Sequence, residues 1–323
     1  MNGKSLRGSL MLLIGAAIWG SAFVAQDVGM NYVGPYTFNA LRYFVGALTL
    51  LPIIFISDRI AARRHPERDA AEIKKTNRRS WFAGMIAGLA LIIPTTMQQI
   101  GIIYTTAGKA GMITGMYIIT VPLLGIFLGK KCGLNVWAAV VMGVVGMYLL
   151  CVTEKLTISG GDIILLISIV FWAVQILVID HFASSVDCFR LVCMEFVVCA
   201  VISAVPAAIG MVSGAAAPLL NEPALDRAAF EGVLLPVLYV GIFSCGIAYT
   251  LQPLGQRDTP PAAASLIMCL ESVFAALTGY LLLGDGFTGR ELIGCALMLG
   301  ASVLAQFPFS SGKTDGIDSA VSR

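Results

Sequence analysis

The sequence predicts an all-α integral membrane protein with ten transmembrane helices arranged as two inverted five-helix repeats. Three observations carry that expectation. Ten apolar stretches fill nearly all of the 323 residues, each long enough for a helix of ~20 residues to cross ~30 Å of hydrocarbon. Composition agrees: 58% of residues are hydrophobic and 12% charged, and the mean hydropathy is +0.86, whereas a soluble domain carries roughly a quarter charged residues. Finally, the second five stretches reproduce landmarks of the first five. Trp19 pairs with Trp172, Gly88 with Gly241 and Gln99 with Gln252 at an offset of 153 residues, and Pro52 with Pro206 and Gly146 with Gly300 at 154. An odd number of spans per copy brings the second copy in from the opposite face, the inverted topology that alternating-access folds use.

Backbone polar groups in lipid must be satisfied within each segment, so each run is expected to be a helix. Span one, 8–26, follows Lys4 and Arg7 and contains Trp19. Its flank Ser21-Ala22-Phe23-Val24-Ala25 imitates a cleavage site, but its counterpart later in the chain argues that it stays in the bundle. Span two, 35–56, holds Arg42 and Pro52. The stretch 57–79 that follows is rich in Arg and Lys (Arg59, Arg63, Arg64, Arg68, Lys74, Lys75, Arg78, Arg79) and is expected to be helical near the lipid surface, against anionic headgroups. Span three, 81–103, starts at Trp81 and carries Gln98 and Gln99. Span four, 108–128, opens with Lys109 at the interface. Span five, 134–152, follows Lys130 and Lys131 and has Trp137 near its start.

The second copy runs through span six, 160–180, with Trp172 and Gln175, and span seven, 188–210, with Glu195. Span eight, 232–253, holds Gln252, span nine, 260–283, holds Glu271, and span ten is 290–308. The repeats are therefore expected at 1–152 and 153–308, with a tail at 309–323. Lys and Arg in short loops set orientation. The basic loops all fall on one side if both termini are cytoplasmic, leaving Lys155, Arg227 and Arg290 opposite with Glu222, Asp226 and Glu231. The expected location is a plasma membrane, of the bacterial inner-membrane type, crossed many times.

Several function classes drop out. A net charge of +2 with basic residues confined to loops speaks against a nucleic-acid partner. The eight cysteines form no CxxC pair and read as small packing residues. His65 and His181 make no metal motif, the tail Gly312-Lys313-Thr314 has Phe307 where a phosphate loop needs glycine, and no nucleophile elbow is present. No cofactor, metal or catalytic residue is expected, and transport would draw on an existing gradient. A non-transporting scaffold or a membrane-embedded enzyme is the alternative. An enzyme would need a nucleophile–base pair at depth, and a scaffold has no use for inverted symmetry.

Motifs in order along the chain carry a family resemblance: Ile18-Trp19-Gly20-Ser21-Ala22-Phe23 in span one, Leu41-Arg42-Tyr43-Phe44 in span two, Ala107-Gly108-Lys109-Ala110-Gly111 leading to Val121-Pro122-Leu123-Leu124 in span four, and Cys269-Leu270-Glu271-Ser272-Val273-Phe274 in span nine. The chain resembles the ten-helix EamA-like branch of the drug/metabolite transporter superfamily over essentially its whole length. It departs where that family usually shows Glu-Pro, here Glu271-Ser272, and Gly-Glu, here Gly284-Asp285. The resemblance implies a central cavity between two inverted repeats and export or exchange of amino acids, related metabolites or drugs.

Ionisable groups at membrane depth cost at least about 2.5–3.5 kcal/mol each, so they face a wet cavity or a partner. Arg42 and Glu195 lie 153 residues apart, placing opposite charges at equivalent positions of the two halves. The expectation is that Arg42 meets a substrate carboxylate and Glu195 an ammonium; a structural ion pair or a hydrogen bond to exposed backbone carbonyls is the competing reading. Glu271 is the candidate for a coupling proton or for satisfying span nine. Trp19 and Trp172 wall a site or simply pack. Gln99, Gln252 and Gln175 are further cavity candidates, amides able to select by hydrogen bonding or to join helices. The expected partners are a small-molecule substrate, the bilayer and a coupling proton; monomer and homodimer both stay open.

Overall fold

The computed structural model describes residues 3–64, 69–105, 107–130, 132–151, 159–213, 216–223, 225–283 and 288–306, and the regular elements among these are all helices joined by short turns, without a strand. The first half comprises α1 (Gly3–Met30), α2 (Pro35–Arg64), α3 (Ala70–Ile103), α4 (Ala107–Gly115), α5 (Tyr117–Phe127) and α6 (Leu134–Cys151). The second comprises α7 (Gly160–Ala183), α8 (Cys188–Val212), α9 (Ala217–Leu220), α10 (Arg227–Tyr239), a π-helical segment Val240–Ala248, α11 (Tyr249–Gln256), α12 (Pro261–Met268), α13 (Glu271–Leu283) and α14 (Gly289–Leu304).

Among the described residues, eight helical stretches are long and apolar enough to cross a membrane. The expected fifth and tenth spans are shorter: Leu134–Leu150 falls below that length, and α14 has 16 residues. Most of the basic stretch 57–79 is helix, because α2 continues to Arg64 and α3 begins at Ala70. Trp81 therefore sits well inside α3 rather than at its start. Asp58, Arg59 and Arg63 near the end of α2 and Lys74, Lys75, Arg78 and Arg79 in the first turns of α3 are exposed.

Span four is not one helix. It breaks at Met116, whose N–H reaches back three residues to the Ile113 carbonyl, and span nine breaks at Cys269-Leu270, with Leu270 N bonded to Ile267 O. These breaks lie 153 residues apart. Span eight also departs from a regular helix through its nine-residue π segment, a form frequent at functional sites. Gly241 and Gly246 let that segment lie against α2, since a Cβ on Gly241 would fall 2.6 Å from Val45 Cβ and one on Gly246 would fall 2.9 Å from Thr49.

The packing pairs equivalent helices of the two halves. α6 lies antiparallel on α14: Gly143 faces Ala301, Gly146 faces Met298, and Asn135 Nδ2 donates to the Ala305 carbonyl. α2 lies antiparallel on α8, with Arg190 bonded to Asp58 at one end and Tyr43 stacked on Phe196 at the other, their rings 5.5 Å apart. Glycine contacts repeat as well. A Cβ on Gly8 would meet the Gly255 carbonyl at 2.8 Å, and one on Gly161 would meet the Gly101 carbonyl at 2.8 Å. A Cβ on Gly88 would approach the Glu195 carbonyl to 2.8 Å, while one on Gly241 would approach the Arg42 carbonyl to 3.1 Å. Small residues permit this close approach of membrane helices.

Buried apolar side chains gather in two clusters, each drawing on both halves. One joins α1, α4, α5, α6 and α7 to α12, α13 and α14; the other joins α2 and α3 to α8, α10 and α11. Trp19 and Trp172 touch both. A cavity opens between the clusters.

Candidate functional site

The first half brings Arg42 to the cavity from α2. That helix starts at Pro35 without a cap of its own, and Glu222 supplies one from across the molecule: its carboxylate accepts from Tyr36 N, Thr37 N and Thr37 Oγ1 at 2.7, 3.1 and 2.5 Å. Burial pushes the Glu222 carboxyl above its ordinary value, against the pull of those hydrogen bonds. Two turns further on, Arg42 is 5% exposed. Its Nη1 donates to Gln26 Oε1 at 2.6 Å and its Nη2 to Tyr43 Oη at 3.1 Å, with the guanidinium over the Tyr43 ring. Nε has no partner among the described residues, so part of the five-donor fork is uncommitted.

Glu271, on the first turn of α13, lines the same cavity. Tyr117 Oη on α5 donates to its Oε1 at 3.3 Å. Tyr117 and Glu271 are 154 residues apart, so the repeat offset itself joins them. Trp19 and Trp172 wall the cavity with Tyr249, whose ring meets Trp19 edge-on at 5.1 Å. Both indole N–H groups lack a partner among the described residues, leaving donors beside the space. Gln26, Gln98, Thr114, Ser244, Gln175 and Gln252 complete the polar lining.

Arg42, Trp19, Trp172, Gln175, Gln252 and Glu271 thus meet around one space. Glu195 and Gln99 do not line it. Glu195 is fully buried behind Gln175, whose Nε2 donates to Glu195 Oε1 at 3.1 Å. No ion pair joins it to Arg42 among the described residues. Gln99 is buried without a polar partner among the described residues, one helical step from Gln98, which does face the cavity. The Lys109 side chain, Lys131, Lys155, His65 and Gly284-Asp285 lie outside the described residues. Among the described residues no group of His, Cys, Asp or Glu could hold a metal.

Sequence reasoning missed Gln26, Tyr117 and Tyr249. The first lies at the edge of the span assigned to 8–26, where an amide reads as interfacial; α1 runs a further turn, to Met30, and carries it inside. Tyr117 could have been found from its offset to Glu271. Tyr249 carried no such mark.

Eight apolar membrane-length helices around a polar, partly charged cavity define a multi-pass membrane transporter. The profile of the EamA-like transporter family matches residues 6–152 and again 159–306, and the chain belongs to that family. It is 26% identical over 309 residues to an uncharacterized transporter of Archaeoglobus fulgidus, spanning 93% of this chain and 86% of that one. A WAT1-related chloroplastic protein of Arabidopsis thaliana is also 26% identical, over 90% of this chain and 67% of its own length. The uncharacterized transporter YoaV of Bacillus subtilis is 22% identical over 92% and 95%. One solved crystal structure matches with a TM-score of 0.69 at 18% identity, covering 93% of this chain and 96% of that chain. That likeness concerns the fold.

Proposed function

We propose that the protein is a secondary carrier that exports or exchanges small organic solutes by alternating access. Residues 1–152 and 153–308 act as inverted repeats rocking about the central cavity, in ten crossings, the shorter α6 and α14 included. Both termini face the cytoplasm across an inner-membrane-type bilayer. The antiparallel pairing of α2 with α8 and of α6 with α14 supports the inversion, as does the double match to one family profile. The observation that carries the reading is a single cavity holding one guanidinium and one carboxylate, drawn from opposite halves, between aromatic walls. Arg42 takes the anionic group of the solute. Glu271 takes its cationic group or, in the empty carrier, the coupling proton.

This chemistry suits an amino acid or a related amphipathic metabolite, with the tryptophans stacking on its apolar part. Binding that draws both charges into contact closes one entrance and frees the other, since a ligand shifts a two-state protein only through its differential affinity. Flux of radiolabelled amino acids and amine antimetabolites in proteoliposomes tests it. Arg42→Ala and Glu271→Gln, at unchanged protein level, should each lower flux of the accepted solute at least about tenfold, a loss of about 1.4 kcal/mol in transition-state stabilisation. Flux that survives both substitutions would remove the cavity from the pathway.

A further inference from the structure

Glu195 occupies the position equivalent to Arg42 yet does not line the cavity, and among the described residues its hydrogen-bond partner is Gln175. Gln175 in turn accepts, through Oε1, from Gln252 Nε2 at 3.0 Å. Glu195 and Gln175 are fully buried and Gln252 nearly so. Gln252 reaches the cavity, and its Oε1 accepts no hydrogen bond among the described residues. Three side chains thus form a wire from a sequestered carboxyl group to the transport cavity.

The polarity of such a wire is set at its buried end. A carboxylate can only accept, so Gln175 must turn its N–H to Glu195 and its carbonyl to Gln252. Gln252 then spends an N–H on Gln175 and shows its carbonyl oxygen to the cavity, which is the arrangement observed. A carboxylic acid can donate as well: protonated on Oε2, which has no partner among the described residues, it would leave a buried O–H without an acceptor, whereas protonated on Oε1 it donates to Gln175. With a proton on Oε1, the amides of Gln175 and Gln252 rotate by half a turn, each donating to the next, and Gln252 shows its N–H₂ to the cavity. One proton from the aqueous phase forms one O–H bond, and nothing else is made or broken.

The geometry points to Glu195 as a proton-sensing positioning residue that switches the cavity-facing end of Gln252 between hydrogen-bond acceptor and donor through Gln175. The assignment rests on the carrier reading above and deepens it. An acceptor there favours a solute N–H or ammonium, and a donor favours a carboxylate or carbonyl, so proton uptake re-sorts what the cavity holds. The surroundings leave the acid free to change state. Cys199 on its own helix, Cys245 on the π segment and Tyr249 on α11 are the ionisable groups facing it. α7 offers Gln175, α3 comes against the helix with Gly88, and Arg42 on α2 directs Nη1 to Gln26 and Nη2 to Tyr43 and makes no ion pair with Glu195 among the described residues. Among the described residues Glu195 Oε2 has no partner and no ion pair includes the group, and an isolated buried charge is costly.

Infrared difference spectra of the purified full-length protein in lipid, recorded through a pH titration without any solute, test this. Acidification should bring up a protonated-carboxyl stretch that is lost in Glu195→Gln and kept in Glu271→Gln. A glutamine side-chain amide shift should accompany it, lost in both Gln175→Leu and Gln252→Leu although the carboxyl stretch persists. A carboxyl signal indifferent to Glu195→Gln would overturn the assignment. So would an amide shift that survives both leucine variants, even if one of them folds poorly. A chain that transports but shows neither signal refutes the relay alone; a chain that shows both but moves no solute refutes the carrier reading alone.

Discussion

The two halves solve the same problem in opposite ways. Each places one ionisable residue at the same depth of the same helix, Arg42 on α2 and Glu195 on α8, and each packs a glycine, Gly241 or Gly88, against that residue's carbonyl. The first half turns its charge toward the cavity and dresses it with Gln26 and Tyr43. The second hides its acid behind Gln175 and lets an amide represent it. Helix starts differ in the same way. α8 caps itself with Asp187, whose side chain accepts from Arg190 N, whereas the equivalent position before α2 is Gly34 and the cap comes from Glu222, 186 residues away from Tyr36. The close backbone approach is thus the same in both halves while the side chains around it differ.

The largest effect should come from the shared glycines. Gly88→Leu and Gly241→Leu each drive a side chain into backbone or into Val45, with no flexible neighbour to yield. Each should destabilise by about 1–3 kcal/mol or more, read as thermal unfolding in detergent. Similar losses would uphold structural equivalence; a loss at only one site would break it.

The caps come next. Glu222→Ala and Asp187→Ala should each cost about 0.5–2 kcal/mol. Asp187→Ala should cost more, because Asp187 also pairs with Arg190 Nη1 at 2.7 Å. pH separates the two. Burial raises the Glu222 carboxyl above its unfolded value, so the folded state holds more protons than the unfolded state between those two values. Its contribution to stability is full below the unfolded value and fades as pH rises through the folded one. Glu222→Gln should flatten that part of a melting-temperature profile against pH; an unchanged profile would remove Glu222 as its source.

The smallest effect sits at the ends of α5 and α7, where Lys130 pairs with Asp180. The equivalent of Asp180 is Asp27, which has no such ion pair among the described residues. Lys130 is 38% exposed, so Lys130→Ala should cost no more than about 1 kcal/mol in the same melts. Asp180→Asn should match it while Asp27→Asn does not.

Much of this was legible in the chain. Uninterrupted apolar runs left helices as the only choice, and Trp19, Arg42, Trp172, Gln175, Gln252 and Glu271 stood out because polar and large amphipathic groups are scarce at such depth. What escaped depends on rotation and local backbone. Gln98 and Gln99 differ by one helical step, and no apolar period separates their faces in a helix buried on several sides. Breaks at Met116 and Cys269 carry no proline at the break itself, and the π segment reads as ordinary apolar helix. Burial of Glu195 behind Gln175 is a fact of packing between α7 and α8, which spacing along the chain does not encode.

Inversion of the two halves is tested most directly by single cysteines at Asn31 and Ser184, exposed residues 153 apart in equivalent loops after α1 and α7. A membrane-impermeant maleimide applied to whole cells and then to inverted vesicles should modify Asn31→Cys from outside only and Ser184→Cys from inside only. Modification of both from one and the same face would contradict the account.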